Sequence, residues 1–136
     1  MKSEDRLKMI LSECNPEEAF ILSNGIRLHS LKELKEALLI IPSEVYNHHV
    51  TYDRNDFANW IRDIFKDYIL AERIRKAENK EEAAKIIEKR IEFLEDRLRY
   101  LESLDVNKAF KKVWILDFAV GFILGLLFGW LLAIVI

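Results

Sequence analysis

The chain has 136 residues, a formal net charge of −2 and one cysteine, so it allows one modest domain with an appendage. The near-balanced charge excludes the strongly basic surface that nucleic-acid binding needs, and no nucleic-acid partner is expected. Cys14 alone excludes an internal disulfide and a zinc knuckle, and the opening MKSEDRLKMILSEC is too charged to read as a signal peptide.

Residues 1–78 predict a small cytoplasmic domain of α+β class, mainly helical. In residues 19–28, AFILSNGIRL, two short apolar runs flank Ser23, Asn24 and Gly25. Asn-Gly between apolar runs is a strong local signal for a β-hairpin. Ser30 with Glu33 three residues on reads as a capping box, which opens a helix reaching about Ile40. Pro42 stops that helix, and Ser43 is expected to cap a shorter one through about His49. Asn55 or Thr51 starts the next helix, where Phe57, Trp60, Ile61, Ile64 and Phe65 share one face. Asp67 caps the following DYILAERIRKA.

A resemblance rests on particular residues of this region. The frame F-x-L-x-x-G-x-x-x-x-S-L-x-E-L covers residues 20–34. His49-Val50 follows, then N-D-F-x-x-W-x-x-D over residues 55–63, then Leu70-Ala71. Across roughly residues 18–78 the chain resembles a small, uncharacterised prokaryotic domain family, mainly archaeal, often joined to other modules. The resemblance implies a fold and no established chemistry.

The polar residues of that motif are the candidates for a site. His48, His49, Asp53, Asp56 and Asp63 include good metal ligands, yet their spacing fits no defined metal signature. Asn55 and Asp56 at a helix start read as caps, Trp60 and Phe57 as core, and His49 as a buried, hydrogen-bonded histidine. A pocket for a partner peptide or small ligand would be shaped by His29, His49, Asn55, Asp56 and Trp60. No nucleophile–base pair and no glycine-rich phosphate loop is legible. No cofactor, metal or catalytic residue is therefore expected, and the chain does not read as an enzyme.

Residues 79–104 predict a long amphipathic helix, capped by Asn79 with Glu82. Ile87, Ile91, Leu94, Leu98 and Leu101 alternate by four and three, the seam of a heptad repeat. Arg90 and Arg97 then fall at g, and Glu95 and Glu102 at e, positions that would pair between parallel chains. A second stripe, Ile86, Phe93 and Tyr100, runs along position c. Either more than two chains assemble or this stripe packs on the chain's own domain. The seam breaks at SLDVNK, where Asp105 lands at a, so residues 105–112 read as a bend or juxtamembrane linker.

Residues 113–136 carry a single charge, Asp117. At 1.5 Å per residue a helix of this length reaches ~36 Å, enough to cross a hydrocarbon core of ~30 Å with some tilt. Trp114 and Trp130 lie near its ends, where aromatic belts form. Lys108, Lys111 and Lys112 precede it and no charge follows it, which places the N-terminal domain in the cytoplasm. A tail-anchored, single-pass protein of the cell membrane is expected, with the lipid bilayer as its first partner.

Three of the four glycines, Gly121, Gly125 and Gly129, recur every four residues in this segment, with Asp117 before and Ala133 after them. Glycine in a lipid-embedded helix lets two backbones approach, so this line predicts a homo-oligomer with a right-handed crossing. The best-supported function is a membrane-anchored, self-assembling interaction module with a cytoplasmic protein partner. The alternative is a small oligomeric pore or cation channel with a ring of Asp117 carboxylates. A third reading, a tethered metal-dependent enzyme at His48 and His49, has no spacing to support it.

Overall fold

A computed structural model of the protein describes residues 2–135, with side chains through Leu131. Its topology follows the local signals closely at the N-terminal end. Helix α1 spans Ser3–Leu11, and a short 3-10 turn covers Pro16–Glu18. Strands β1 (Phe20–Ile21) and β2 (Arg27–Leu28) pair antiparallel, with Phe20 opposite Leu28 and Ile21 opposite Arg27. The Leu22 carbonyl accepts from the Gly25 N–H at 2.8 Å, and Gly25 turns the chain with φ +87°. That angle is in the left-handed region, which only glycine enters without a Cβ penalty.

Helices α2 (Leu31–Ile40), α3 (Ser43–His49), α4 (Asp56–Trp60) and α5 (Tyr68–Arg75) follow. Three caps behave as the sequence predicts. Ser30, Asn55 and Asp67 accept from the N–H groups of Glu33, Ala58 and Leu70 at 3.1, 2.9 and 3.1 Å. Ser43 does not cap α3: it is the first helical residue, and Pro42 holds the cap position with its fixed φ of −61°. Proline suits a helix entry because an initial N–H would be unsatisfied anyway.

Glu33 and Glu82 reach one residue further than a capping box requires. Their carboxylates accept from the N–H groups of His29 and Glu78, the residues before the caps Ser30 and Asn79. A glutamate side chain is long enough to hold that earlier donor, so the entering chain is tied down before the helix begins.

Between α4 and α5, Ile61–Phe65 form a π-helical turn that ends at Lys66 with φ 55°. Nothing in the sequence announces this turn. It rotates the chain so that Ile61, Phe65 and Leu70 all enter the core beside Phe57.

Helix α6 spans Lys80–Val135. It corrects the expected boundaries twice. The compact N-terminal unit extends through Leu98 rather than ending near residue 78. Ile87, Ile91 and Leu94 are buried with Leu34, Leu38 and Ile74 in one core. A bundle of short helices cannot cover its own apolar faces, and this stretch of α6 completes it. Burial of each such side chain is worth about 1.5–3 kcal/mol. The segment 105–112 is helical, so the broken seam does not interrupt the backbone hydrogen bonds. The second unit comprises residues 99–136, of which Met1's counterpart at the other end, Ile136, lies outside the described residues, as does Met1 itself.

Candidate functional site

The motif residues converge on His49, which is buried. The Ser23 backbone N–H donates to its Nε2 at 3.0 Å, so Nε2 must be the lone-pair nitrogen. The proton therefore sits on Nδ1 and points at Asp56 Oδ2, 3.2 Å away. Arg54 Nε lies 3.2 Å from the other oxygen of Asp56, and Arg54 also donates to the His48 carbonyl at 2.6 Å. Phe20 and Phe57 enclose the imidazole at centroid distances of 5.0 and 5.4 Å.

This arrangement pins the hairpin, α3 and α4 together. It leaves no free lone pair on His49 for a metal, because the backbone N–H of Ser23 occupies the only one. The other expected pocket residues are also engaged. Asn55 is buried, capping α4 and donating to the Ile74 carbonyl at 3.3 Å. Trp60 is buried and donates to the Glu18 carbonyl at 2.7 Å. His29 joins Cys14 and Glu33 through its backbone, and no hydrogen bond or ring contact links it to His49 among the described residues. The structure thus brings His49, Asp56 and Arg54 together, and it turns the expected pocket into a fixed joint. Among the described residues no three His, Cys, Asp or Glu side chains are placed to hold a metal ion.

The α6 seam is likewise spent inside the chain. Ile87, Ile91 and Leu94 pack into the core, while Leu98 and Leu101 are half-buried. Arg90 does not wait for a partner chain either. It makes a bidentate pair with the buried Asp67 at 2.8 and 3.0 Å. Asp67 caps α5 with the same carboxylate, so one residue satisfies a helix start and a guanidinium. Glu95 lies 3.9 Å from Lys32 of α2. Arg97 and Glu102 have interactions of their own. The c stripe is the exposed one: Phe93 and Tyr100 are 59% and 54% exposed, and Ile86 is half-buried. The expected roles of seam and stripe are therefore exchanged. The physical reason is that the domain's own helices offer an apolar surface at no cost in association entropy.

Within the second unit, residues 113–131 are apolar apart from Asp117. An 18-residue window of α6 reaches a mean hydropathy of 2.0 with none of it buried, so the helix is long and apolar enough to cross a membrane. A Cβ at Gly121, Gly125 or Gly129 would meet nothing within 4 Å. Asp117 sits with Trp114 and Phe118 around a shallow recess of about 230 Å³. Asp117 follows Lys112 by five residues, which puts them about 140° apart around the helix, on different faces. Ala133 lies beyond the residues whose side chains are described.

No family model matches the chain, and no curated protein or solved structure does.

Proposed function

We propose that the protein is a membrane-anchored, self-assembling interaction module. Its N-terminal domain stays in the cytoplasm and presents a binding surface in several copies. The observation that carries this reading is the fully exposed apolar stretch of α6, beside a domain that completes its own core without it. Leu126, Phe128, Trp130 and their neighbours are each more than half exposed. In water each would forgo about 1.5–3 kcal/mol of burial, a sum no small domain tolerates, so lipid or a like helix must cover them. Lys108, Lys111 and Lys112 before the stretch support the cytoplasmic orientation.

The glycine line supports self-association. Steps of four residues turn 400°, so Asp117, Gly121, Gly125 and Gly129 drift slowly around one face and favour a right-handed helix pair. Multivalent display then raises effective affinity for a partner without new contacts. The domain's part is binding rather than chemistry, since its one buried histidine has both ring nitrogens engaged.

The test is the subunit count in nanodiscs by native mass spectrometry, with flotation to measure insertion. The wild-type chain should float with the membrane and form a dimer or larger assembly. Replacing Gly121, Gly125 and Gly129 together with leucine should lower the count while insertion persists. A monomeric wild type would remove self-assembly from the reading, and a chain that fails to float would remove the anchor. Five or more subunits would favour the pore reading, with Asp117 in a ring, and conductance would then decide.

A further inference from the structure

The domain carries a groove where α5 ends and α6 begins, enclosing about 650 Å³ and open to solvent. Arg73 and Lys76 of the α5 end, and Glu81, Glu82, Lys85, Ile86 and Lys89 of α6, line it. Most other cations of the domain have a local anion. Arg54 pairs with Asp56, Arg75 with Glu72, Lys35 with Glu88 and Arg90 with Asp67. None of the four groove cations has a hydrogen bond or ion pair through its side chain among the described residues.

The two acids on the groove wall do not fill this role. Glu81 lies 3.3 Å from Lys80, and Glu82 accepts from the Glu78 N–H at 2.7 Å. Lys85 and Lys89 stand one turn apart on α6, a like-charge spacing that costs an exposed helix about 0.2–0.5 kcal/mol. The fold gains nothing visible in return.

We propose that this groove binds an acidic peptide segment of a partner protein, one that sets an apolar side chain over Ile86 and carboxylates against the four cations. Three features select this occupant. The site is concave, whereas a bilayer presents a flat surface and would meet a convex basic face. At the start of α6, Asn79 already engages two N–H groups, Glu82 through its Oδ1 at 2.8 Å and Ala83 through its carbonyl at 3.1 Å. A compact phosphate group would therefore find long side chains and a depleted set of free N–H groups there. The apolar floor and the engaged glutamates add a mixed character that suits a peptide better than a uniform polyanion. This inference extends the interaction-module reading by naming the partner's chemistry, and it rests on that reading for its biological setting.

The test uses the full chain in zwitterionic nanodiscs. The probe is a fluorescent 12-residue peptide rich in glutamate with one central leucine, followed by anisotropy. Its lysine-for-glutamate counterpart serves as the first control. The acidic peptide should bind, more weakly as salt rises. Lys85→Glu with Lys89→Glu should weaken it at least tenfold, while Arg27→Glu, a cation outside the groove, should leave it unchanged. Circular dichroism and flotation of each variant report folding and insertion, so a failed groove is distinguishable from a failed anchor. The proposal is overturned if the acidic peptide does not bind, or binds equally to the reversed variant. It is also overturned if the reversal instead abolishes adsorption to anionic phosphatidylglycerol vesicles and leaves peptide binding intact, which would mark a lipid contact.

Discussion

Two stretches of α6 are both rich in large apolar residues, and they meet different surroundings. Residues 80–98 carry most of theirs on one stripe, Ile87, Ile91 and Leu94, which is buried in the domain's core, while Ile86 beside it is half-buried and Phe93 exposed. Residues 113–131 carry them on all sides, and all of them are exposed in the isolated chain. The pattern around the helix therefore tells how many sides must be covered. A single stripe asks for one surface, and the chain's own domain provides it. An all-round apolar helix asks for an environment, which only lipid or a bundle of similar helices supplies. What a stripe does not reveal is whether its one surface belongs to the same chain. The heptad of Ile87, Ile91 and Leu94 satisfies the rule for a coiled coil and the rule for a core helix equally well.

The largest expected effect tests the most specific tie between α6 and the domain. Arg90→Ala leaves Asp67 buried without its cation, and breaking such a pair costs about 3–5 kcal/mol. In urea unfolding of the solubilised chain, followed by Trp60 fluorescence in a Trp114→Phe and Trp130→Phe background, the midpoint should fall accordingly. The double change Arg90→Met with Asp67→Asn should recover most of the loss. The charge pair is then gone, while the asparagine still accepts from Leu70 N–H. If Arg90→Ala leaves the midpoint where it was, α6 is not fastened to the domain in this way.

The same substitution placed in both stretches sharpens the contrast. Leu94 is almost wholly buried and Leu124 is 59% exposed. Leu94→Ala should destabilise the domain by about 2–5 kcal/mol, through lost transfer energy and the cavity left behind. Leu124→Ala should leave the domain's unfolding unchanged. Equal effects at the two positions would mean that the distinction between domain wall and anchor is drawn wrongly.

The same division explains what was legible in the sequence. Signals that act over three or four residues were readable: the Asn24-Gly25 turn, the caps Ser30, Asn55, Asp67 and Asn79, and the apolar span itself. Ser43 misled because a serine before a helix resembles a cap, although Pro42 already supplies the entry angle. Contacts between distant segments were not readable. The Ser23 N–H meets His49 across 26 positions, and Arg90 meets Asp67 across 23. His49 reads as buried and Asp67 as a cap, but neither names its distant partner. The candidate pocket shows the same limit. His49, Asn55 and Trp60 carry the right atoms for a pocket, and only the fold shows that each atom is already used.

A smaller effect concerns Cys14, half-buried behind the start of β1. Burial disfavours the thiolate and raises its pKa, and Glu18, Glu33 and Glu13 add in the same direction, against a lowering backbone hydrogen bond. At a pH where an unhindered thiol begins to ionise, Cys14 is still protonated and unreactive. Its alkylation by iodoacetamide should lag behind that of a model thiol and catch up only at higher pH or on unfolding. A rate matching the model thiol at every pH would show that the segment around Cys14 opens readily. That would weaken the picture of a domain closed from α1 through residue 98.

The smallest effect isolates the one place where the domain departs from its own local rules. Lys66 ends the π-helical turn in the left-handed region, with no glycine to signal it. A non-glycine residue there carries strain of order 1–3 kcal/mol, which the packing of Ile61, Phe65 and Leu70 must offset. Lys66→Gly removes the steric part but gives the unfolded chain more freedom, a loss of about 0.4–1 kcal/mol. The balance should be a modest gain, raising the melting temperature by a few degrees, since about 1 kcal/mol shifts a domain of this size by roughly 4–8 °C. Lys66→Val should lower it, because a β-branched side chain fits the left-handed region worst. If glycine destabilises and valine is tolerated, the turn does not hold this conformation, and the register that brings Asp67 beneath Arg90 must be set by the α6 contact alone.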